Sequence, residues 1–243
     1  MKIKHFAIRG GVILNILLTL VVVTVIYKSG YYKKLYNIVT CSGENPQEAP
    51  DYWAVRGWAN TVKKLDLKVD IAFFGNSITY FSNFDECYKK DSVSIINLGY
   101  PGDNIEGMIR RVDMLKSCNP QKVFLMAGIN GLEAQPIEKF KELYTELLDS
   151  IQKEVPDGHI YIQSILPVNE ALLDQAKGPN SKIVEANAIL RQLSESRKCT
   201  YINLFDLYCE DGQLAQRYTK DGLHLLPEAY EPWADVIEKY IKE

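Results

Sequence analysis

The sequence has few of the residues from which metal sites and disulfide frameworks are built. Its 243 residues include only five cysteines and three histidines. No two cysteines form a Cys-x-x-Cys pair, which argues against a structural zinc site. The odd count leaves at least one thiol unpaired within the chain, and the sequence cannot assign a bond such as Cys199 to Cys209. We therefore expect no structural zinc site, and neither a metal nor an organic cofactor is required.

An excess of basic residues is also lacking. The chain has 28 basic and 31 acidic side chains, a net charge of −3. No basic stripe is present that would neutralise a phosphate backbone, so nucleic acid is not an expected partner. Internal repeats, heptad runs and low-complexity tracts are absent from the sequence as well. With 47% hydrophobic and 24% charged residues, the composition is that of a globular protein with one sizeable core.

One long apolar run stands near the N-terminus, at Gly11–Tyr27. Its length is at the lower end of the roughly 20 residues that cross a bilayer as a helix. Basic residues lie on both sides of it, so the charge distribution alone does not fix its orientation. A cleaved signal peptide is the alternative, but no small-residue cleavage site follows the run. We expect a cytoplasmic segment at residues 1–10, an uncleaved transmembrane signal anchor at 11–27, and a domain outside the cytoplasm.

Residues 28–50 have the Gly, Ser, Asn and Pro content of a juxtamembrane linker. We place the folded domain at residues 51–243, beginning with an amphipathic helix at Asp51–Leu65 whose tryptophans pack against the domain. From Val69 onward, short apolar runs alternate with helical patterns. The predicted strands are Val69–Phe74, Val93–Asn97, Val123–Ala127, Ile160–Ile165 and Tyr201–Leu204. The predicted helices are Asn104–Ser117, Pro136–Val155, Lys182–Arg197 and Pro227–Lys242.

This alternation predicts an α/β fold in three layers, with a parallel sheet of about five strands and helices on both faces. In such sheets the functional site lies at the carboxyl ends of the strands. Ser77 follows the first strand in the segment Gly75-Asn76-Ser77. A serine on a tight turn at this position can be a nucleophile. A serine that caps a helix N-terminus is the more common explanation, and the segment alone does not decide between them.

Polar residues follow the other strands too. The second strand leads to Gly99 and Gly102, which suit either a turn or the close approach of a backbone N–H to a substrate oxygen. The third leads to Asn130, either a turn residue in an Asn-Gly pair or an amide directed into the same crevice. His224 lies near the C-terminus, three residues after Asp221, which can accept a hydrogen bond from its ring. Together these residues supply a nucleophile, an oriented base and oxyanion donors, the set that acyl transfer requires.

The same segments resemble the four blocks of the SGNH (GDSL-like) hydrolases, over the chain from Val69 to the C-terminus. The resemblance implies a flavodoxin-like fold and catalysis by Ser77, His224 and Asp221. It also implies an oxyanion hole formed by Ser77, Gly102 and Asn130. Two positions depart from the common motifs: Asn76 replaces an aspartate in the first block, and Gly131 replaces an aspartate after Asn130. The first is not a catalytic position, and the second affects only what surrounds Asn130.

An ordinary α/β-hydrolase is excluded, since that fold uses Gly-x-Ser-x-Gly and Thr79 stands where the second glycine would be. The resemblance implies a serine esterase for short acyl groups, above all O-acetyl groups on small molecules or glycans. Three alternatives remain at this point. They are an O-acetyltransferase using the same site, a lipid esterase or thioesterase, and a catalytically silent glycan-binding domain.

Overall fold

The computed structural model of the protein describes residues 61–62, 64, 67–88, 92–173 and 180–243. The predicted anchor at residues 11–27, the segments on either side of it and most of the predicted helix Asp51–Leu65 lie outside these residues. The described part of that helix, Thr61, Val62 and Lys64, is helical. Within the described ranges, no helix combines the length and the apolar character needed to cross a bilayer.

Five strands form one parallel sheet, as predicted. They are β1 (Ile71–Gly75), β2 (Ile95–Gly99), β3 (Lys122–Met126), β4 (His159–Gln163) and β5 (Thr200–Ile202). Their order across the sheet is β2-β1-β3-β4-β5, the order of flavodoxin-like folds. Because β1 pairs with β2 on one side and β3 on the other, the loops that follow these three strands are neighbours at the carboxyl edge.

Helices connect the strands. They are α1 (Ser77–Tyr80), α2 (Phe84–Cys87), α3 (Ile105–Arg110), α4 (Asp113–Cys118), α5 (Ile137–Glu154), α6 (Asn180–Ser196), α7 (Phe205–Tyr208) and α8 (Tyr230–Lys242). A small hairpin, β6 (Cys209–Glu210) and β7 (Gln213–Leu214), lies between α7 and α8, as do two 3₁₀ turns, Gln216–Tyr218 and Pro227–Ala229. Helices α5 and α6 lie within about two residues of their predicted bounds, and α8 ends at its predicted residue but begins three residues later.

Two helix predictions were wrong in detail, and several short elements were not predicted. The single helix predicted for Asn104–Ser117 is two helices, α3 and α4, because the backbone leaves helical geometry at Arg111. The last helix starts as a 3₁₀ turn at Pro227. The hairpin and the short helices α1, α2 and α7 were not predicted, since two- to four-residue elements carry no periodicity. The four described cysteines, Cys87, Cys118, Cys199 and Cys209, are free thiols, so no bond joins Cys199 to Cys209.

The core is centred on β1, whose five residues are all buried. Phe73 stacks on Phe124 of β3 with ring centroids 4.9 Å apart, and Phe124 stacks on Tyr161 of β4 at 4.6 Å. The three rings occupy paired positions in the strand register, so they form one row on one face of the sheet. Continuous apolar strands buried on both faces are what parallel sheets require. The row of rings packs three neighbouring strands against one another in register.

Candidate active site

Ser77 is the first residue of α1 and is buried, with 6% of its surface exposed. The N-cap of this helix is Asn76, whose side-chain oxygen accepts a hydrogen bond from the Ile78 N–H at 3.0 Å. The explanation of Ser77 as the capping residue is therefore wrong, because its neighbour fills that role. The asparagine that replaces the familiar aspartate still has the oxygen that the cap needs. Ser77 thus keeps its hydroxyl for another partner.

Two glycines let the Ser77 turn approach the sheet. A Cβ atom on Gly99 would lie 2.3 Å from the backbone nitrogen of Tyr80. A Cβ atom on Gly75 would lie 2.1 Å from the side-chain oxygen of Thr79 in that turn. The amide of Asn97 secures the same turn by donating to the Thr79 carbonyl at 2.9 Å and the Ser82 carbonyl at 3.1 Å. Gly99 is therefore required for close packing, whereas the constraint on Gly102 is its positive φ.

Alanine substitutions should separate these two glycines. We expect Gly99→Ala to lower the free energy of unfolding by about 3 kcal/mol, because backbone atoms would have to move. Gly102 has φ +77° and nothing within 4 Å of an added Cβ. We expect Gly102→Ala to cost only about 1 kcal/mol, the strain of a positive φ. Urea denaturation of both variants measures the difference, and equal losses would contradict the close-packing role of Gly99.

His224 lies between Ser77 and Asp221. Its Nε2 atom is 3.0 Å from Ser77 Oγ, and its Nδ1 atom is 2.6 Å from Asp221 Oδ2. The other Asp221 oxygen, Oδ1, accepts from the backbone N–H groups of Leu223 at 2.9 Å and His224 at 2.8 Å. The three side chains form a continuous hydrogen-bonded series from hydroxyl to carboxylate. The sequence placed all three at one site, and the structure brings them together.

The charge on Asp221 decides which ring nitrogen carries the proton. Burial acts to raise the pKa of Asp221, but hydrogen bonds from the His224 ring and from the Leu223 and His224 amides outweigh it. The resulting pKa is about 2. The carboxylate is therefore ionised at neutral pH and can only accept, so Nδ1 of a neutral His224 ring must donate. Nε2 is then left as an acceptor aimed at the hydroxyl of Ser77.

The loop that carries His224 is held from two sides. The Asn169 N–H donates to the Gly222 carbonyl at 2.8 Å, and a Cβ atom on Gly222, which has φ +81°, would lie 2.5 Å from the Asn169 carbonyl oxygen. From α8, the Tyr230 hydroxyl donates to the Ile78 carbonyl at 2.8 Å. Burial raises the pKa of Tyr230, so its hydroxyl remains a donor. These contacts hold the His224 loop and the Ser77 turn in place around the Ser77–His224 hydrogen bond, which joins residues 147 positions apart.

Asn130 contacts the loop that contains Gly102. Its side-chain amide donates to the Asp103 carbonyl at 2.9 Å. Gly131, where the resemblance leads one to expect aspartate, has φ +85°, a conformation that suits glycine better than aspartate. A hydrogen bond therefore joins Asn130 to the Gly102 loop. Separate hydrogen bonds join Ser77, His224 and Asp221. The strand order places the Ser77 turn between the Gly102 loop and the Asn130 loop.

A buried ion pair lies beneath these loops. Arg111, with 3% of its surface exposed, donates from Nε to Asp103 Oδ2 at 2.7 Å. Its two terminal nitrogens donate at 2.8 Å to the carbonyl oxygens of Leu98 and Gly75. Burial raises the pKa of Asp103, and the charge of Arg111 offsets this only in part. One guanidinium thus ties together the ends of β1 and β2 and the loop after Gly102.

Sequence reasoning missed Arg111, Asn97 and Tyr230. A charged residue within a predicted amphipathic helix is normally exposed, so Arg111 gave no signal that it would be buried. The break in helical geometry at this position became visible only in the structure. Within the described part of the chain, no group of three or more His, Cys, Asp or Glu residues could hold a metal ion.

The side chains of Ser77, His224 and Asp221 can move a proton and stabilise charge. The Ser77 hydroxyl is within hydrogen-bond distance of a ring nitrogen that is oriented to accept its proton. The carboxylate of Asp221 is placed to stabilise the imidazolium that would form. An activated hydroxyl beside two loops with potential donors is the arrangement used to attack carbonyl carbon atoms.

Comparison with known proteins points the same way. Residues 73–231 match the family model of the GDSL-like lipases/acylhydrolases. A Streptococcus pneumoniae protein named as a platelet activating factor is 25% identical, with a TM-score of 0.69 over 76% of this chain and 92% of that one. A GDSL-like lipase of Bacteroides thetaiotaomicron is 18% identical, with a TM-score of 0.64 over 79% and 98%. An acetyl xylan esterase is 22% identical, with a TM-score of 0.59 over 70% and 98%. No match was found among the curated proteins.

Proposed function

The chain belongs to the GDSL-like lipase/acylhydrolase family and is an ester-bond hydrolase, and from this premise we propose that it removes short acyl groups, principally O-acetyl groups, from carbohydrate. The observation that carries the mechanism is the hydrogen-bonded series Ser77–His224–Asp221, with distances of 3.0 and 2.6 Å. The family accounts for the class of reaction, and the site residues account for how this chain would carry it out.

In the proposed mechanism, His224 takes the proton of Ser77 as the hydroxyl attacks the ester carbonyl. Asp221 holds the ring in the tautomer that accepts this proton and stabilises its positive charge. The protonated ring then gives the proton to the departing alcohol, which leaves an acyl group on Ser77. Water attacks this acyl-enzyme with His224 again acting as the base, and the carboxylic acid is released.

The negatively charged oxygen that forms in each step must be stabilised by hydrogen-bond donors close to the carbonyl oxygen. We assign this role to the backbone N–H groups of Ser77 and Gly102 and to the Asn130 side chain. Support comes from the strand order, which makes the three loops neighbours, and from the contact between Asn130 and the Asp103 carbonyl. Each such donor stabilises a transition state by about 3 kcal/mol. The buried Arg111 would act indirectly, by holding the loop that presents Gly102.

The acetyl preference is supported by the family and by the structural likeness to an acetyl xylan esterase. The proposal extends to location. The apolar run at Gly11–Tyr27 supports a single-pass anchor with the catalytic domain outside the cytoplasm, where glycan substrates are exposed. An anchored esterase would act on polymers close to the membrane surface.

The proposal is tested by the acyl preference of the full-length chain. We expect the highest kcat/KM on the acetyl ester in a 4-nitrophenyl series from acetate to decanoate, and release of acetate from O-acetylated xylan. Stoichiometric labelling of Ser77 by a fluorophosphonate, located by mass spectrometry, would identify the nucleophile. An optimum at decanoate would instead indicate a lipid esterase. Acetyl transfer to an added oligosaccharide in preference to water would indicate a transferase. If no ester were turned over, the chain would be better explained as a catalytically silent glycan-binding domain.

A further inference from the structure

Two aromatic side chains beside the nucleophile have no part in the mechanism above. Tyr80 and Phe81 directly follow Ser77, Ile78 and Thr79 in the nucleophile turn, and they remain 52% and 49% exposed. Among the described residues, the other exposed large hydrophobic side chains are those of Leu67 and Val184. Two neighbouring exposed aromatic rings next to a catalytic serine form a surface that a ligand can cover.

Phe81 also contacts the catalytic base. Its ring centroid lies 5.6 Å from that of His224, with the two ring planes perpendicular. The Phe81 N–H donates to the Ser77 carbonyl at 3.0 Å, so Phe81 lies one helical turn beyond the nucleophile on the same face. Tyr80 packs on Phe81 in turn, with centroids 5.3 Å apart. Ser77, His224 and Phe81 are therefore neighbours at the surface, and Tyr80 adjoins them through Phe81.

The chemistry determines which part of the substrate lies beside these residues. His224 must deliver its proton to the oxygen of the departing alcohol, so that oxygen comes within hydrogen-bond distance of Nε2. The carbon atoms attached to it then lie next to the ring that packs on His224. The acyl group is bonded to the carbonyl carbon and is directed away from this oxygen. The aromatic pair therefore faces the alcohol part of the ester rather than the acyl part.

The backbone of the pair is rigid. A Cβ atom at Gly99 would contact the Tyr80 nitrogen at 2.3 Å, and Asn97 secures the carbonyl groups of Thr79 and Ser82 on either side. None of these contacts uses the aromatic rings themselves. A ring whose only function was to orient His224 would be expected to lie buried, yet about half of the Phe81 surface is open. A rigid backbone that presents open rings is preorganised for a ligand with a flat apolar face.

We infer that Tyr80 and Phe81 form the binding subsite for the leaving alcohol and select alcohols that present a ring face, such as the C–H face of a sugar. This inference rests on the proposed ester hydrolysis at Ser77 and adds a determinant of substrate choice to it. The rings contribute by stacking, so the effect is on the alcohol and not on the acyl group.

The test is a ratio of rates measured on three acetate esters with the full-length chain. They are a mono-O-acetylated methyl glycopyranoside, hexyl acetate and ethyl acetate, which share the acyl group and have unactivated alkyl alcohols. We expect Phe81→Ala to lower the ratio of kcat/KM for the sugar ester over ethyl acetate about tenfold, mainly through KM. Tyr80→Ala should lower it less, and Phe81→Tyr, which keeps the ring, should restore it. Val184→Ala, an exposed hydrophobic position on α6, is the matched control and should leave the ratio unchanged.

The outcomes are distinguishable. If Phe81 serves only to orient His224, Phe81→Ala lowers both rates by the same factor, the ratio stays constant, and the inference is overturned while the proposed function stands. If hexyl acetate shows the same dependence on Phe81 as the sugar ester, selection of a ring face is overturned in favour of general apolar contact. If the wild-type chain hydrolyses none of the three esters, the proposed function fails and the inference fails with it.

Discussion

Replacing Ser77 by alanine is expected to lower kcat on 4-nitrophenyl acetate about 10⁶-fold, the loss typical when a serine nucleophile is removed from such a catalytic set. The reason is geometric. The Ser77 hydroxyl is the oxygen that lies 3.0 Å from His224 Nε2, and alanine would leave the proposed base without a hydroxyl to activate. The fold should be unaffected, because the cap of α1 is formed by Asn76 and not by Ser77.

The same reasoning predicts that the effects of Ser77 and His224 are not additive. His224→Ala alone should cost about as much as Ser77→Ala, and the double variant should cost no more than either, since each removal disables the same unit. Ser196→Ala is the matched serine control. This exposed residue ends α6, which leads into the start of β5, and so lies at the edge of the sheet opposite to the site. A Ser77→Ala variant with activity within tenfold of wild type would refute the assignment.

Removing the buried cation is expected to have the largest effect on stability. Arg111→Met should lower the free energy of unfolding by about 3–5 kcal/mol, the usual cost of leaving one partner of a buried ion pair alone. Asp103 would lose its counter-charge, and the Leu98 and Gly75 carbonyl groups would each lose a donor. We also expect kcat to fall about 100-fold, because the Gly102 loop would move relative to Ser77 and small displacements cost this much.

The neighbouring arginine provides the control for this experiment. Arg110 precedes Arg111 in the chain but is exposed. Arg110→Met therefore removes a charge of the same sign without breaking the buried ion pair. It should change the free energy of unfolding by less than about 0.5 kcal/mol. Asp103→Asn combined with Arg111→Met should recover part of the lost stability, since the unpaired carboxylate is then gone. Equal destabilisation by Arg110→Met and Arg111→Met would show that the ion pair has no special role.

The sequence by itself determined the class of fold and which polar residues follow its strands. Five apolar runs separated by helical patterns could only be buried as a parallel sheet, and the rule that sites lie at the carboxyl ends of strands then selected Ser77, Asn130 and the Gly102 loop. Asp221 and His224 are three residues apart, so their hydrogen bond depends mostly on local structure and was visible in the motif. The parallel sheet and the Asp221–His224 hydrogen bond were predictable because periodicity and short-range spacing are properties of the chain itself.

The tertiary structure alone decided how these parts fit together. The Ser77–His224 contact spans 147 positions, and it depends on packing between α8, the Asn169 segment and the Ser77 turn that no local pattern encodes. The burial of Arg111 and the open face of Phe81 are likewise consequences of what packs around them. Burial is a property of the assembled layers rather than of residue type. This is why an arginine within a predicted helix is buried and connects two strand ends, whereas an aromatic ring remains half exposed at the surface.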